Sequence, residues 1–135
     1  MRKQQTLQRN QVDVHYELGG TIHGPRLLFI QGVGVIGEGW RPQVLELNGY
    51  FQTLVFDNRG IGRSQPCRGP ISIEAMADDA RALLDEVGWE SAHVIGHSMG
   101  GVIAQQLALD CPKRISSLSL LCTFLRGKDA AAQGH

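Results

Sequence analysis

Short apolar runs, separated by polar and glycine-rich segments, dominate the pattern of this chain. Residues 12–18 alternate between apolar and polar side chains, which is typical of a half-buried strand. Four runs of mostly apolar residues predict further strands, three of them buried on both faces. These runs cover residues 27–30, 53–56, 92–95 and 118–124. Helical spacing and capping residues predict helices over 42–47, over 73–87 and from Ser98 to just before Pro112.

Strands that alternate with helices predict an α/β fold, with a mostly parallel sheet and helices on both of its faces. In such a sheet the ligand site lies at the carboxyl ends of the strands. Three loops follow predicted strands there, and they begin at Gln31, Asp57 and Gly96. We therefore expect the chemistry of the protein to lie where these three loops meet.

Composition excludes several classes of function. The 135 residues are 42% hydrophobic and 19% charged, which is an ordinary globular balance and predicts one domain over 1–135. The 13 basic and 13 acidic residues give no net charge, so nucleic acid and anionic membranes are not expected partners. The apolar runs are too short to span a bilayer.

Residues 1–10 are polar and hold no apolar signal core, and the three cysteines show no CxxC spacing. An odd number of such cysteines favours reduced thiols and a cytoplasmic location. Because histidine and cysteine do not cluster at ligand spacing, we expect neither a metal nor an organic cofactor. The small, polar residues 126–135 predict a flexible tail.

One motif carries most of the chemical information. Gly96, Ser98 and Gly100 form a Gly-x-Ser-x-Gly pattern after an apolar run and before a helical pattern. This is the sequence of a nucleophile elbow, a sharp turn that lifts a serine hydroxyl above a parallel sheet. The glycines are needed because the turn leaves no space for Cβ atoms beside the serine.

Three motifs together resemble the α/β-hydrolase fold family. The strand 27–30 followed by Gln31-Gly32 and Trp40 resembles the family's oxyanion loop. Residues 57–64, with the sequence DNRGIGRS, resemble its D-x-R-G-x-G-x-S turn, and residues 96–101, GHSMGG, resemble its elbow. The resemblance extends over about residues 12–124, and it implies the same fold without its last strands and its cap.

The resemblance also implies an active site. Ser98 would be the nucleophile, and the backbone N–H groups of Met99 and Val33 would bind the developing oxyanion. Gln31, Gly32 and Trp40 would line the site for a small-molecule substrate, although position 31 is usually histidine in the family.

The expected activity is that of an esterase-like serine hydrolase. Its substrate would be a small ester, lactone or related acyl or carbonyl compound. The sequence of the elbow, GHSMGG, also resembles that of family members that cleave carbon–carbon bonds and of cofactor-free haloperoxidases. In the family, the acid and the histidine of the triad follow the nucleophile, and the short stretch after Ser98 offers no evident replacement. His97 is predicted to point away from the hydroxyl as a packing residue. We therefore expect the chain to be weakly active or inactive alone.

Two alternatives stay open. Gly32, Gly34 and Gly37, with Asp57 at the end of the next strand, match a dinucleotide-binding fingerprint. The chain could also be a non-catalytic fragment or binding module. The strand between Leu118 and Phe124 would then expose an apolar edge, through which the chain would self-associate or bind a complementing chain.

Overall fold

A six-stranded sheet with helices on both faces forms the molecule. The computed structural model describes residues 3–32 and 34–124. The strands are β1 (Lys3–Gln8), β2 (Asp13–Gly20), β3 (Arg26–Ile30), β4 (Gln52–Phe56), β5 (Ala92–His97) and β6 (Ile115–Leu121). The α-helices are α1 (Arg41–Leu47), α2 (Ile73–Glu86) and α3 (Met99–Asp110), and the short 3₁₀ turns are Gly37–Trp40 and Pro112–Arg114.

The order of the strands across the sheet is β1-β2-β4-β3-β5-β6. β1 and β2 run antiparallel to their neighbours, and the other three pairings are parallel. β3 is central, and its residue Ile30 lies opposite Gly96 of β5. The carboxyl ends of β3, β4 and β5 therefore lie at one edge of the sheet, as the sequence predicts.

Alternation along β3 shows why the sheet is covered on both faces. Leu28 and Ile30 belong to the larger hydrophobic cluster, with buried residues of α2 and α3. Leu27 and Phe29 belong to a second cluster, with Val44 of α1. Because successive side chains of a strand point to opposite faces, an uninterrupted apolar run suits this position.

Helix α2 begins at the predicted residue, Ile73, and ends at Glu86, one residue before the predicted end. The Ser72 hydroxyl accepts a hydrogen bond from the backbone N–H of Ala75 at 3.1 Å, which satisfies one of the free donors of the first turn. Gly88 has φ 73° just after the helix, a conformation that favours glycine. On the apolar face of the helix, Leu83 and Leu84 are fully buried.

Two strands differ from the prediction. β1 was not predicted, because its sequence KQQTLQ lacks apolar alternation, and pairing with β2 over its whole length holds it in place. The last strand spans Ile115–Leu121 instead of 118–124, because the turn Pro112–Arg114 leads directly into it and serines fill its first half. Thr123 and Phe124 lie beyond the strand. The predicted flexible tail, 126–135, lies outside the described residues.

A buried ion pair ties the turn after β4 to helix α2. Arg59 donates to both carboxylate oxygens of Asp79, at 2.7 and 2.9 Å, and the side chains are 6% and 1% exposed. Arg9 adds a second cation at 2.6 Å from Asp79. The turn that leads from the sheet edge is therefore fixed to the helix behind it.

No helix within residues 3–32 and 34–124 has the length and apolarity needed to cross a membrane.

Candidate active site

Ser98 occupies a strained turn between β5 and α3. It has φ 56° and ψ −126°, a combination that residues with a side chain rarely adopt. A Cβ on Gly96 would lie 2.6 Å from the carbonyl oxygen of Gly100, and a Cβ on Gly100 would collide with the carbonyl oxygen of Ile30. Close approach of the backbone thus requires glycine at both positions, as the sequence analysis predicts.

A cavity of about 400 Å³ opens beside Ser98 at the carboxyl edge of the sheet. The predicted site residues Gln31, Gly32, Trp40 and Met99 line it together with Ser98. Its lining is completed by Val35, Gly39, Gln43 and His97. Val33, the other predicted oxyanion donor, lies outside the described residues.

Sequence reasoning missed these four further lining residues. His97 could have been found, because it lies inside the elbow motif itself, next to Ser98. Val35 and Gly39 follow β3 without a pattern of their own, and Gln43 lies in helix α1, so only the packed fold brings the three to the cavity.

Gly32, in the loop after β3, lies directly against the turn at Ser98. A Cβ on Gly32 would be 3.6 Å from the Cβ of Ser98 and 3.8 Å from the backbone nitrogen of Met99. Met99 is the first residue of α3, so the helix itself provides no acceptor for its N–H. The positive end of the helix dipole also lies there, and this position therefore suits a developing negative charge.

Gln31 holds the loop through both ends of its carboxamide. Its Nε2 donates to the carbonyl oxygen of Phe56 at 2.7 Å, and its Oε1 accepts from Trp40 Nε1 at 3.2 Å. The orientation of the amide is fixed by its partners, since a carbonyl only accepts and an indole N–H only donates. The side chain is 3% exposed, so its polar atoms serve to hold the loop and the wall of the cavity.

Trp40 forms an aromatic wall of the cavity. Its ring lies 5.0 Å from that of Phe29 and meets the ring of His97 edge-on at 6.4 Å. The sequence analysis predicts a packing role for His97, but the structure leaves its side chain exposed, and it lines the cavity that Ser98 also lines. This part of the cavity therefore suits a flat or apolar group on a bound molecule.

The carboxylate of Asp57 binds backbone groups of the protein itself. Its two carboxylate oxygens accept from the backbone N–H groups of Gly37 and Arg63, at 2.8 and 2.9 Å, and the residue is 5% exposed. In a dinucleotide fold the acid binds a ribose, and a helix starts within the glycines. Here Gly37 binds Asp57 and the α-helix begins only at Arg41. The geometry does not support the dinucleotide alternative.

His93, His15 and Asp110 have partners away from Ser98. His93 Nδ1 pairs with Ser117 Oγ at 2.7 Å, and His15 Nε2 lies 3.3 Å from Arg63. Asp110, at the far end of α3, accepts from the neighbouring Gln106 side chain. In the part of the chain that the structure describes, Ser98 Oγ makes no hydrogen bond to a histidine or a carboxylate. Among residues 3–32 and 34–124, no three histidine, cysteine or acidic side chains lie together in a group that could hold a metal ion.

Comparison with known proteins gives consistent matches. The model of the alpha/beta hydrolase fold family matches residues 25–133. A "Putative carbamate hydrolase RutD" from Azorhizobium caulinodans is 41% identical over 114 residues, which cover 84% of this chain and 42% of that protein.

Solved structures match as well. A hydrolase from Pseudomonas aeruginosa has a TM-score of 0.85 at 30% identity, with 96% of this chain and 50% of that one covered. The epoxide hydrolase CorEH has a TM-score of 0.85 at 27% identity and covers 91% of this chain and 43% of its own. The chain thus spans half or less of the length of these relatives.

Proposed function

Because this chain belongs to the α/β-hydrolase fold family, we propose that it is a serine hydrolase, with Ser98 as the nucleophile. The single observation that carries the proposal is the strained Ser98, placed beside Gly32 and the backbone N–H of Met99 at a cavity of about 400 Å³. Backbone strain of this kind persists where the surrounding structure enforces it, and it is typical of functional sites.

The proposed reaction begins with attack of Ser98 Oγ on an acyl carbon. The carbonyl oxygen becomes an oxyanion, which the N–H groups of Met99 and Val33 would bind. Collapse of this intermediate expels the leaving group and leaves an acyl-enzyme, which water then hydrolyses. Loss of one fixed oxyanion donor typically slows such a reaction about 100- to 1000-fold.

We propose a small ester, lactone or related acyl compound as substrate. A carbamate, the compound in the name of the relative from Azorhizobium caulinodans, is such an acyl compound. The cavity supports the proposal, since Val35, Trp40 and Met99 give it apolar surface while Gln43 and His97 offer polar atoms. Fold alone does not fix the reaction, so the substrate series must be tested directly.

The base is the missing part of this mechanism. A serine hydroxyl is a poor nucleophile until a base accepts its proton. Because no described histidine or carboxylate is bonded to Ser98 Oγ, we propose that this chain alone is only weakly active. Oxyanion donors and binding retain about 10³- to 10⁴-fold catalysis over water when a triad is removed.

The absence of a described base at Ser98 Oγ also favours a second candidate, a non-catalytic fragment or binding module. It differs from the first in one respect, since substrate would bind in the cavity without any reaction at Ser98. Binding without turnover, detected as a rise in melting temperature with an ester that is recovered intact, would support it.

Two further proposals concern the setting of the protein. Leu120 and Leu121, on the outer strand β6, are 40% and 46% exposed, so the chain would self-associate or bind a complementing chain along this edge.

The cysteines at 67, 111 and 122 are free, which supports action in the reducing cytoplasm.

Hydrolysis of small p-nitrophenyl esters and carbamates by the purified chain tests the proposal. We expect slow release of p-nitrophenol that Ser98→Ala abolishes. Ser117→Ala is the matched control, because Ser117 pairs with His93 on the sheet and does not line the cavity. If Ser117→Ala removes the activity and Ser98→Ala does not, the proposed site is wrong.

A further inference from the structure

The segment that follows β6 lies across the first turns of α3. The backbone N–H of Ser98 donates to the carbonyl oxygen of Leu121 at 2.9 Å. The Thr123 hydroxyl donates to the carbonyl oxygen of Ser98 at 2.5 Å. Further along the helix, Gln105 Nε2 donates to the carbonyl oxygen of Phe124 at 2.8 Å. The end of β6 and the residues just after it are thus bonded to Ser98 at two places and to the middle of α3 at a third.

Gly101, the second glycine of the Gly-Gly pair, makes room for this segment. A Cβ at Gly101 would lie 2.5 Å from the Cβ of Thr123, a distance that real atoms do not adopt. The contact involves the branched carbon of Thr123, which cannot move aside without moving the backbone. Absence of a side chain at Gly101 is therefore what allows the Thr123 hydroxyl to reach Ser98.

These bonds act on the one residue in the turn whose backbone is strained. Ser98 holds φ 56°, and such a conformation persists only when neighbouring groups enforce it. Its N–H is bound by Leu121, and its carbonyl oxygen accepts from both Thr123 and the N–H of Gly101, the latter at 2.9 Å. Of the two bonds to this carbonyl oxygen, the one from Gly101 belongs to the helix, whereas the one from Thr123 comes from outside it.

We infer that Thr123 is a positioning residue for Ser98, with its hydroxyl holding the serine backbone in the strained conformation that presents Oγ to the cavity. This inference rests on the proposed function, because it concerns the reactivity of the same serine. It goes beyond the elbow motif, since Thr123 lies on the segment after another strand.

The chain offers a sharp pair of variants at this position. Thr123→Val keeps the branched shape and removes the donor, whereas Thr123→Ser keeps the donor and removes a methyl group. The segment keeps its other anchors in both variants, namely the bonds from Ser98 to Leu121 and from Gln105 to Phe124. Circular dichroism checks that both variants remain folded.

Two readouts of the full 135-residue chain test the inference. The first is the set of backbone ¹³C chemical shifts of Ser98 in NMR spectra, which report its φ and the hydrogen bonding of its carbonyl group. The second is the rate of labelling by a fluorophosphonate probe, followed by intact mass. We expect Thr123→Val to shift the Ser98 signals and to slow labelling about fivefold, the factor that one hydrogen bond of ordinary strength corresponds to. Thr123→Ser should recover most of the lost rate.

The outcomes separate the inference from the proposed function. If the unchanged chain is not labelled but Thr123→Val alone shifts the Ser98 signals, the positioning role stands and the proposed activity of this chain fails. If Thr123→Val leaves both the Ser98 signals and the labelling unchanged, the inference is wrong while the nucleophile stands. An equal loss of labelling rate in Thr123→Ser and Thr123→Val would also overturn the inference, because the hydroxyl would then not be the responsible group.

Discussion

Gln31 and Trp40 share a buried hydrogen bond, in which the indole Nε1 donates to the amide oxygen of Gln31 at 3.2 Å. The other end of the same amide donates to the carbonyl oxygen of Phe56 at the end of β4. A single side chain thus links the oxyanion loop, the neighbouring strand and the aromatic wall of the cavity. Glutamine fits this position because one partner needs a donor and the other needs an acceptor.

Replacement of Gln31 by leucine should therefore destabilise the protein. Gln31→Leu leaves the Phe56 carbonyl and the Trp40 indole buried without their partner, and each such loss costs about 1–3 kcal/mol. We expect the free energy of unfolding, measured in urea, to fall by about 2–4 kcal/mol. Gln43→Leu makes the same chemical change at an exposed lining residue and should stay within about 0.5 kcal/mol. Equal effects of the two variants would contradict this account of Gln31.

The glycines of the elbow give a second prediction. A methyl group at Gly100 would collide with the carbonyl oxygen of Ile30, and neither backbone can move freely. Gly100→Ala should reduce the free energy of unfolding by about 3 kcal/mol or more, at the upper end of overpacking effects. Gly49→Ala is the control, because a Cβ there meets no atom within 4 Å. Thermal unfolding distinguishes the two, and a Gly100→Ala variant as stable as Gly49→Ala would show that the turn is wider than described.

The ion pair behind the site gives a third prediction. Asp79 is 0% exposed and binds Arg59 and Arg9, so neutralising its carboxylate leaves the buried Arg59 cation without the charge that balances it. Asp79→Asn should cost about 3–5 kcal/mol of unfolding free energy. Asp85→Asn removes an acid from surface ion pairs and should cost about 1 kcal/mol or less. If the Asp79 variant loses no more than the Asp85 variant, the pair does not stabilise the turn.

Acid titration of stability gives a fourth prediction. Hydrogen bonds from Arg81 and Arg9 lower the pKa of Asp78 from 3.8 to about 2. Because the folded state holds the charged form more strongly, this stabilisation is present above pH 3.8 and is lost as the pH falls toward 2. Unfolding in urea at a series of pH values should show this slope, and Asp78→Asn should make it shallower. An unchanged slope in the variant would mean that other carboxylates account for it.

The exposed edge of the sheet gives a fifth prediction. Leu120→Lys should convert a self-associating chain into a monomer in sedimentation velocity, because a charge on an edge strand opposes pairing. Leu109→Lys is the control, since Leu109 is 69% exposed and lies in helix α3 instead of on the edge strand. A monomeric unchanged chain, or equal effects of the two variants, would rule out self-association through β6.

Much of this arrangement could be predicted from sequence because local rules determine it. The apolar run of β3 and the Ser72 cap of α2 each reflect a short-range preference that burial then reinforces. The elbow could be predicted for the same reason, since its glycines and serine are adjacent in the chain.

Long-range contacts explain what could not be predicted. β1 has no strand pattern of its own and depends on pairing with β2, while serines conceal the start of β6. Gln31 could be placed in the loop, but its bonds to Phe56 and Trp40 depend on the packed fold. Thr123 gave no signal, because its role comes from a contact with Ser98 made across 25 residues of sequence.

Intact mass of the purified chain after incubation with a fluorophosphonate probe tests the central claim most directly, with Ser98→Ala measured beside it. The account predicts one slowly formed adduct, which peptide mapping assigns to Ser98 and which is absent from the alanine variant. An adduct that persists in Ser98→Ala, or a folded chain that forms none, would contradict the claim that Ser98 is a reactive nucleophile.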